Sequence, residues 1–449
     1  MATSPSHDPS TSWLERQFKL SEHHTTLRTE VMAGLTTFMT MAYIMVVNPG
    51  IVSATGMPFE AVMYATVASA SVSTLLMAFL ANYPIALAPG MGLNAYFTYT
   101  VVLGMGVPWQ TALGAVFLSG LAFIVLTLTG VREALITTIP SSLKAAIGAG
   151  IGLFIAFIGL KNGGVIVSHP ATFVSLADLR TPPAFLTLGG TILTLALMAR
   201  GVRGAILWGI LATALVGVPL GVTPIPEAVV ELPRLSRWQP ILGQLDIGAA
   251  LRLGLVEIIF AFFFVDVFDN VGTLVAVGRH GGFVDKSGRL PRANRALMAD
   301  ALGTVAGSVF GTPTVTSYIE SAAGVAVGGR TGLVGVVVST LFLFSLFFAP
   351  VVKAVASVGC LTAPALVVVG VLMIRSVTDI DWEDLAEAGP AFIALIAMPL
   401  TFSIATGIAL AFIAYPAIKV LAGRGREVPP LMYALGILFV LRFVYLGGE

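Results

Sequence analysis

The sequence contains little charge. Only 10% of its 449 residues are Asp, Glu, Lys or Arg, whereas 57% are hydrophobic. Soluble domains average about 25% charged residues. The shortage of charge therefore excludes an ordinary soluble domain and predicts a polytopic membrane protein that lies in a lipid bilayer.

An excess of either charge sign is also absent, and cysteine is almost absent. The formal net charge is +1, which gives no support to a nucleic-acid partner. Cys360 is the only cysteine, which excludes an intrachain disulfide and a cysteine-rich metal site. The five histidines show no metal-ligand pattern in the apolar regions. We therefore expect no metal and no cofactor.

The apolar runs predict the number of membrane helices. The N-terminus lacks the apolar core and cleavage site of a signal peptide, so the first run should stay in the mature protein. A spanning helix needs about 20 mainly apolar residues. Runs of this kind predict an all-α fold of fourteen helices, seven on each side of a polar stretch. Their ranges are 28–48, 59–81, 84–104, 109–130, 143–160, 184–200, 203–220, 252–278, 296–311, 313–328, 331–351, 361–376, 389–404 and 405–422.

Loop charges predict the orientation. Cytoplasmic loops are rich in Lys and Arg, and a cytoplasmic N-terminus places most of these residues inside. Because seven is odd, the second half should enter the membrane with opposite polarity, which gives the two inverted repeats found in many secondary transporters. The predicted parts are a cytoplasmic tail (1–27), a first repeat (28–220), an extracytoplasmic linker (221–249), a second repeat (250–423) and an apolar C-terminal tail (424–449). Composition leaves open whether residues 430–446 span the membrane or lie at its interface.

The third predicted helix of each half contains helix breakers. One reads Pro84-Ile-Ala-Leu-Ala-Pro-Gly-Met-Gly-Leu-Asn-Ala-Tyr-Phe97, and the other begins Gly311-Thr-Pro-Thr-Val-Thr-Ser-Tyr-Ile-Glu-Ser321. Proline removes a backbone donor and glycine destabilises a helix, so both segments should be interrupted. Matching interruptions in two halves of a transporter point to its binding site.

Three carboxylates stand in apolar surroundings: Asp266, Asp269 and Glu320. Ionisable residues at membrane depth are costly and usually mark a substrate or ion pathway. We expect Asp269 to contact substrate, the alternative being a bridge between helices. For Asp266 the two interpretations are balanced, and we assign it a supporting role. Glu320 could accept ring N–H groups and carry a proton, or could instead be a protonated helix-packing residue.

Further polar residues complete the candidate site. Asn94 follows the Pro-Gly-Met-Gly break, and its amide suits a neutral heterocycle, although it could instead cap the half-helix. Asn270, Gly272 and Thr273 form a polar, flexible patch after Asp269. Ser317 could line the site or satisfy freed backbone groups. Phe268 could stack on an aromatic ring or pack against lipid.

The chain resembles the AzgA-like purine permeases of the nucleobase:cation symporter-2 (nucleobase–ascorbate transporter) superfamily. The resemblance rests on four stretches in the same order. They are Arg28-Thr-Glu-Val-Met-Ala-Gly-Leu-Thr-Thr-Phe-Met-Thr-Met-Ala-Tyr-Ile-Met-Val-Val-Asn-Pro49, Ala88-Pro-Gly-Met-Gly-Leu-Asn-Ala-Tyr-Phe97, Phe264-Val-Asp-Val-Phe-Asp-Asn-Val-Gly-Thr-Leu274 and Thr316-Ser-Tyr-Ile-Glu-Ser-Ala-Ala-Gly324.

The resemblance implies a fold split into a core domain of helices 1–4 and 8–11 and a gate domain of helices 5–7 and 12–14. It implies import of hypoxanthine, guanine or adenine with protons across the plasma (inner) membrane, and a homodimer. The family's acidic residue on helix 8 matches Asp269, the acidic or amide residue on helix 10 matches Glu320, and the helix-3 amide matches Asn94. Glu320 or Asp269 would take up the coupling proton, in an elevator-like cycle of the core domain.

Other carriers, a membrane-embedded enzyme and a channel are the alternative functions. A uracil, xanthine or anion carrier of the same fold is the nearest alternative, and an anion would be repelled by the acids. A membrane-embedded enzyme would need a nucleophile, base or metal cluster, but neither His nor Cys lies near the acids in sequence. A cation channel could use acidic residues, but paired interrupted helices fit alternating access better.

Overall fold

The computed structural model describes residues 13–129, 139–252, 256–285 and 290–445. Helices dominate these residues. They are α1 (Leu27–Thr55), α2 (Phe59–Ala81), α3 (Met91–Ala95, continued as a π-helix over Tyr96–Gly104), α4 (Trp109–Thr129), α5 (Ser141–Asn162), α6 (Pro182–Ala199), α7 (Ala205–Gly217), α8 (Val256–Gly281), α9 (Ala293–Phe310), α10 (Ser321–Val327), α11 (Leu333–Ala356), α12 (Gly359–Asp379), α13 (Leu385–Leu400), α14 (Ile404–Leu421) and α15 (Pro430–Tyr445). Short helices cover Trp13–Phe18 and Ile247–Arg252.

The first fourteen helices correspond to the fourteen predicted ranges. Within the described residues, nine of them are long and apolar enough to cross a membrane. The length or the sequence of the other five helices explains why they do not meet this criterion. Helices α7 and α13 are short, α3 and α10 are half-helices that follow strands, and α9 carries Arg295 and Asp300 within its apolar sequence.

Both predicted interruptions are present. Strand β1 (Leu87–Pro89) precedes α3, and strand β4 (Val315–Ser317) precedes α10. The two strands pair antiparallel with Ala88 opposite Thr316, so one segment from each half meets in a two-stranded sheet. Their burial inside the protein agrees with the rule that irregular backbone at membrane depth must be enclosed.

Two features were not predicted. Helix α1 is interrupted by a turn at residues 42–43, between the helical segments Leu27–Met41 and Ile44–Val52. Strands β2 (Ile166–His169) and β3 (Phe173–Leu176) form an antiparallel hairpin between α5 and α6. The hairpin is largely exposed, so no buried alternation marked it in the sequence.

The helices pack in two groups. Helices α1, α2, α4, α8, α9, α10 and α11 pack against one another, as do α5, α6, α7, α12, α13 and α14. Helix α3 contacts α1 and α8 in the first group and α5 in the second. Glycines allow the close approaches: Gly324 of α10 lies against Ala33 of α1, and Gly370 of α12 lies against Gly152 of α5.

The connecting segments are anchored to these groups. In the N-terminal tail, the Phe18 carbonyl accepts from Asn82 Nδ2 at 3.1 Å. In the linker between the two halves (221–249), Trp238 Nε1 donates to the Phe310 carbonyl at 2.8 Å. Helix α15 packs on α14 and α8, with the Phe439 ring 6.0 Å from the ring of Phe412. The placement of residues 430–446 relative to the membrane stays a prediction.

Candidate substrate-binding site

The site is built around the crossing of β1 and β4. Beyond the strands, Gly90 N donates to the Thr314 carbonyl at 2.9 Å, and Tyr318 N donates to the Ala86 carbonyl at 2.9 Å. A Cβ atom at Gly90 would overlap Thr316 Cγ2, so glycine is required here by the close approach of the strands. The crossing therefore fixes where α3 and α10 begin.

Asp269 faces β4 from the middle of α8. Thr316 Oγ1 donates to Asp269 Oδ2 at 3.1 Å, and the Asp269 side chain is half-buried. Glu320 lies three residues beyond the end of β4, so both acids adjoin the same strand. The two acids predicted to bind substrate are thus brought together, although 51 residues separate them in the chain.

Glu320 stands directly before α10. The Tyr43 hydroxyl, at the turn that interrupts α1, donates to Glu320 Oε1 at 2.6 Å. Tyr43 is fully buried, while Glu320 is half-buried. One carboxylate oxygen is therefore held by the protein, and the substrate-binding role of Glu320 stays a prediction.

Asn94 lies inside α3, in a second polar cluster. Its Nδ2 donates to Asn48 Oδ1 at 2.5 Å. The residue before α3 is Gly90, so the interpretation of Asn94 as the cap of the half-helix is wrong. Its role in binding substrate stays a prediction.

Asp266 belongs to a fully buried network behind Asp269. Asn270 Nδ2 lies 3.0 Å from Asp266 Oδ1 and 2.7 Å from Asp300 Oδ2. Asn270 Oδ1 accepts from the backbone N–H of Ser317 at 2.7 Å. The network connects α8 and α9 to β4, and the supporting role of Asp266 stays a prediction.

Of the remaining predicted residues, Ser317 lies in β4 and the others lie on α8. Helix α8 continues through Gly281, so Asn270, Gly272 and Thr273 lie in regular helix, and their supporting role stays a prediction. Gly272 is exposed and Thr273 is half-buried, one turn beyond Asp269. The side chain of Phe268 lies outside the described part of the structure.

Three residues of the site were missed. Asp300 stands in the apolar run 296–311, and the reasoning applied to the other acids would have found it. Tyr43 and Asn48 could not be identified from the sequence, because each contacts its partner only through tertiary packing.

Within the described residues, no group of three or more His, Cys, Asp or Glu side chains could hold a metal ion. The site offers mainly hydrogen-bond acceptors, which suits a neutral solute with N–H groups.

Two halves of seven helices, with interrupted helices crossing beside half-buried acids, are the arrangement typical of inverted-repeat transporters. Residues 28–410 match the model of the permease family. The chain is 56% identical to a putative permease of Methanocaldococcus jannaschii over 97% of this chain and 99% of the relative. It is 44% identical to a guanine/hypoxanthine permease of Bacillus subtilis, covering 96% of this chain and 100% of the relative. It is also 44% identical to an adenine permease of Escherichia coli, covering 97% of each.

The chain therefore belongs to the permease family, within the nucleobase:cation symporter-2 group, and the predicted resemblance is confirmed. Among solved structures, it is similar to the transmembrane domain of a cyanobacterium bicarbonate transporter. That match has a TM-score of 0.63 and 17% identity, over 86% of this chain and 97% of the other. The predicted fold of fourteen helices in two inverted repeats is thereby confirmed, as is a multi-pass membrane protein.

Proposed function

We propose that this protein imports purine nucleobases, namely hypoxanthine, guanine or adenine, by proton symport. The observation that carries the proposal is that Asp269 and Glu320 both adjoin β4 at the crossing of two interrupted helices, in a chain 44% identical to named purine permeases. Transport, rather than catalysis, follows from the family. A relative named for guanine/hypoxanthine and one named for adenine are equally similar in sequence to this chain, so all three bases should be tested as substrates.

We propose that Asp269 and Glu320 accept N–H groups of the base, with Asn94 adding a third contact. Both acids are half-buried beside β4, where a flat solute can reach them. Glu320 and Asp269 are also the candidates for the coupling proton. A proton taken up there would relieve the repulsion between two neighbouring carboxylates, so proton uptake and binding of a neutral base would favour each other.

The movement we propose is elevator-like. Helices α1–α4 and α8–α11 would carry base and proton as the core domain, and helices α5–α7 and α12–α14 would stay in place as the gate domain. The packing of the helices into these two groups supports the division. We further propose a homodimer in the plasma (inner) membrane, with a cytoplasmic N-terminus.

The test is uptake of radiolabelled hypoxanthine, guanine and adenine by transporter-deficient cells at acid and neutral external pH. We expect uptake that is faster at acid pH and is lost on adding a protonophore. Asp269→Asn and Glu320→Gln should each abolish or strongly weaken uptake. Uptake that is unchanged by the protonophore would contradict symport. Normal affinity for the base in both variants would contradict the site assignment.

A further inference from the structure

Asn48 links three elements through its side-chain amide. Its Nδ2 donates to Thr66 Oγ1 of α2 at 2.7 Å and to Thr312 Oγ1, just before β4, at 3.1 Å. Its Oδ1 accepts from Asn94 Nδ2 of α3 at 2.5 Å. All four side chains are fully buried. Every polar atom of the Asn48 amide is therefore engaged.

Thr66 sets the direction of this chain of hydrogen bonds. Its hydroxyl donates to the Val62 carbonyl, one turn earlier in α2, at 2.7 Å. A hydroxyl group has one hydrogen to donate, so Thr66 Oγ1 can only accept from Asn48. The nitrogen of the Asn48 amide must therefore face Thr66, and its oxygen must face Asn94.

The opposite arrangement fails at Thr66. If the Asn48 amide were rotated by 180°, its oxygen would face the Thr66 oxygen, whose hydrogen is already donated to Val62. Buried polar groups left without partners are costly, so the observed direction is favoured. Asn94 must therefore turn its nitrogen towards Asn48 and its oxygen away.

The Asn94 oxygen is left as an acceptor. Within the described residues, Asn94 Oδ1 is buried and has no hydrogen-bond donor. A free amide could rotate to offer either a donor or an acceptor to a ligand. The connection through Asn48 to Thr66 removes that choice.

We propose that Asn48 is a positioning residue that fixes Asn94 as a hydrogen-bond acceptor, so that the substrate group recognised at Asn94 is a ring N–H. The proposal deepens the proposed function and rests on it, because it takes Asn94 to be part of the base-binding site. Recognition of a base at Asn94 then depends on a residue of α1 that need not touch the base.

The test is direct binding of hypoxanthine and its 1-, 7- and 9-methyl derivatives to the purified full-length protein. Methylation replaces one ring N–H, so the affinity lost on methylation measures recognition of that position. The variants are Asn48→Leu, which removes the amide that holds Asn94, and Thr66→Val, which removes the acceptor that directs Asn48. The matched control is Thr213→Val, because the Thr213 hydroxyl also donates 2.7 Å to a carbonyl four residues earlier, but in α7.

We expect Asn48→Leu to reduce the methylation penalty at one ring position by about tenfold, roughly the contribution of one buried hydrogen bond, and to leave the other penalties unchanged. Thr66→Val should reduce the same penalty by a smaller factor, and Thr213→Val should change none. If Asn48→Leu does not fold, the methylation penalties of Thr66→Val provide the test. Penalties that stay unchanged, or that all fall in parallel, would overturn the positioning role while leaving purine binding intact. Failure of the wild-type protein to bind hypoxanthine, guanine or adenine would instead overturn the proposed function, and this inference with it.

Discussion

Replacing Gly90 by alanine should disturb the site without straining the backbone. Gly90 has φ −76° and ψ 116°, an extended conformation that alanine adopts readily. The added methyl group would overlap Thr316 Cγ2 on the paired strand. Either the strands move apart, or Thr316 rotates and withdraws its hydroxyl from Asp269.

The two responses have similar costs. Forcing an extra methyl group into a packed interior costs about 1–3 kcal/mol. Losing a hydrogen bond to a charged group costs about 1.5–3 kcal/mol. We therefore expect Gly90→Ala to lower the free energy of unfolding by about 1–3 kcal/mol and to weaken hypoxanthine binding about tenfold or more. Thermal unfolding and ligand binding of the purified protein measure the two effects.

A second substitution sharpens this prediction. Thr316→Ser removes Cγ2 but retains the hydroxyl that reaches Asp269, so Gly90→Ala combined with Thr316→Ser should recover most of the lost stability and affinity. Gly189→Ala in α6 is the control, because no heavy atom lies within 4 Å of its added Cβ atom. Unchanged stability and hypoxanthine affinity in Gly90→Ala would refute this explanation. A double variant that is no more stable and binds no more tightly than Gly90→Ala would also refute it.

Three further predictions concern other parts of the molecule. Tyr43→Phe should weaken substrate binding about tenfold in a direct binding assay, because it removes the hydroxyl that holds Glu320. Asn270→Leu should lower the free energy of unfolding by about 1–3 kcal/mol, and with it the thermal unfolding temperature, because it removes the donor shared by the buried side chains of Asp266 and Asp300. Hydrogen bonds from Arg424 lower the pKa of Glu427 from 4.5 to about 2, so its stabilising contribution is present above about pH 4.5 and is lost as pH falls towards 2. Glu427→Gln should therefore flatten the acid-induced loss of stability measured in a pH series of unfolding curves.

Each of these predictions has a result that would contradict it. Tyr99→Phe is the control for Tyr43→Phe, since the Tyr99 hydroxyl accepts from Asn162 rather than contacting an acid of the site. Equal binding losses in the two tyrosine variants would contradict a specific role for Tyr43. An unchanged unfolding temperature in Asn270→Leu, or an unchanged acid profile in Glu427→Gln, would contradict the other two.

The sequence predicted those features that depend on local composition. Apolar runs located fourteen helices, and Pro89, Gly90 and Pro313 marked the two interruptions because their effect on a helix is local. The acids were found because charge in an apolar run is conspicuous. Asp300 was equally conspicuous and was overlooked.

What could not be predicted depends on contacts between distant segments. Tyr43 lies 277 residues from Glu320, and Asn48 lies 46 residues from Asn94. The spacing of these residues in the sequence therefore predicts neither hydrogen bond. The turn at residues 42–43 of α1 has no glycine or proline to mark it. The β2–β3 hairpin was missed because its short, exposed strands lack the alternation that a buried face imposes.

The central claim is that Asp269 and Glu320 couple purine binding to a proton gradient. It is tested most directly by uptake of radiolabelled hypoxanthine, guanine and adenine into proteoliposomes containing only this protein, with and without an inward proton gradient. We predict that at least one base accumulates above its external concentration when the gradient is present, and that a protonophore, Asp269→Asn or Glu320→Gln each abolish the accumulation. Equilibration of all three bases to the same level with and without the gradient, or full accumulation by both variants, would contradict the account.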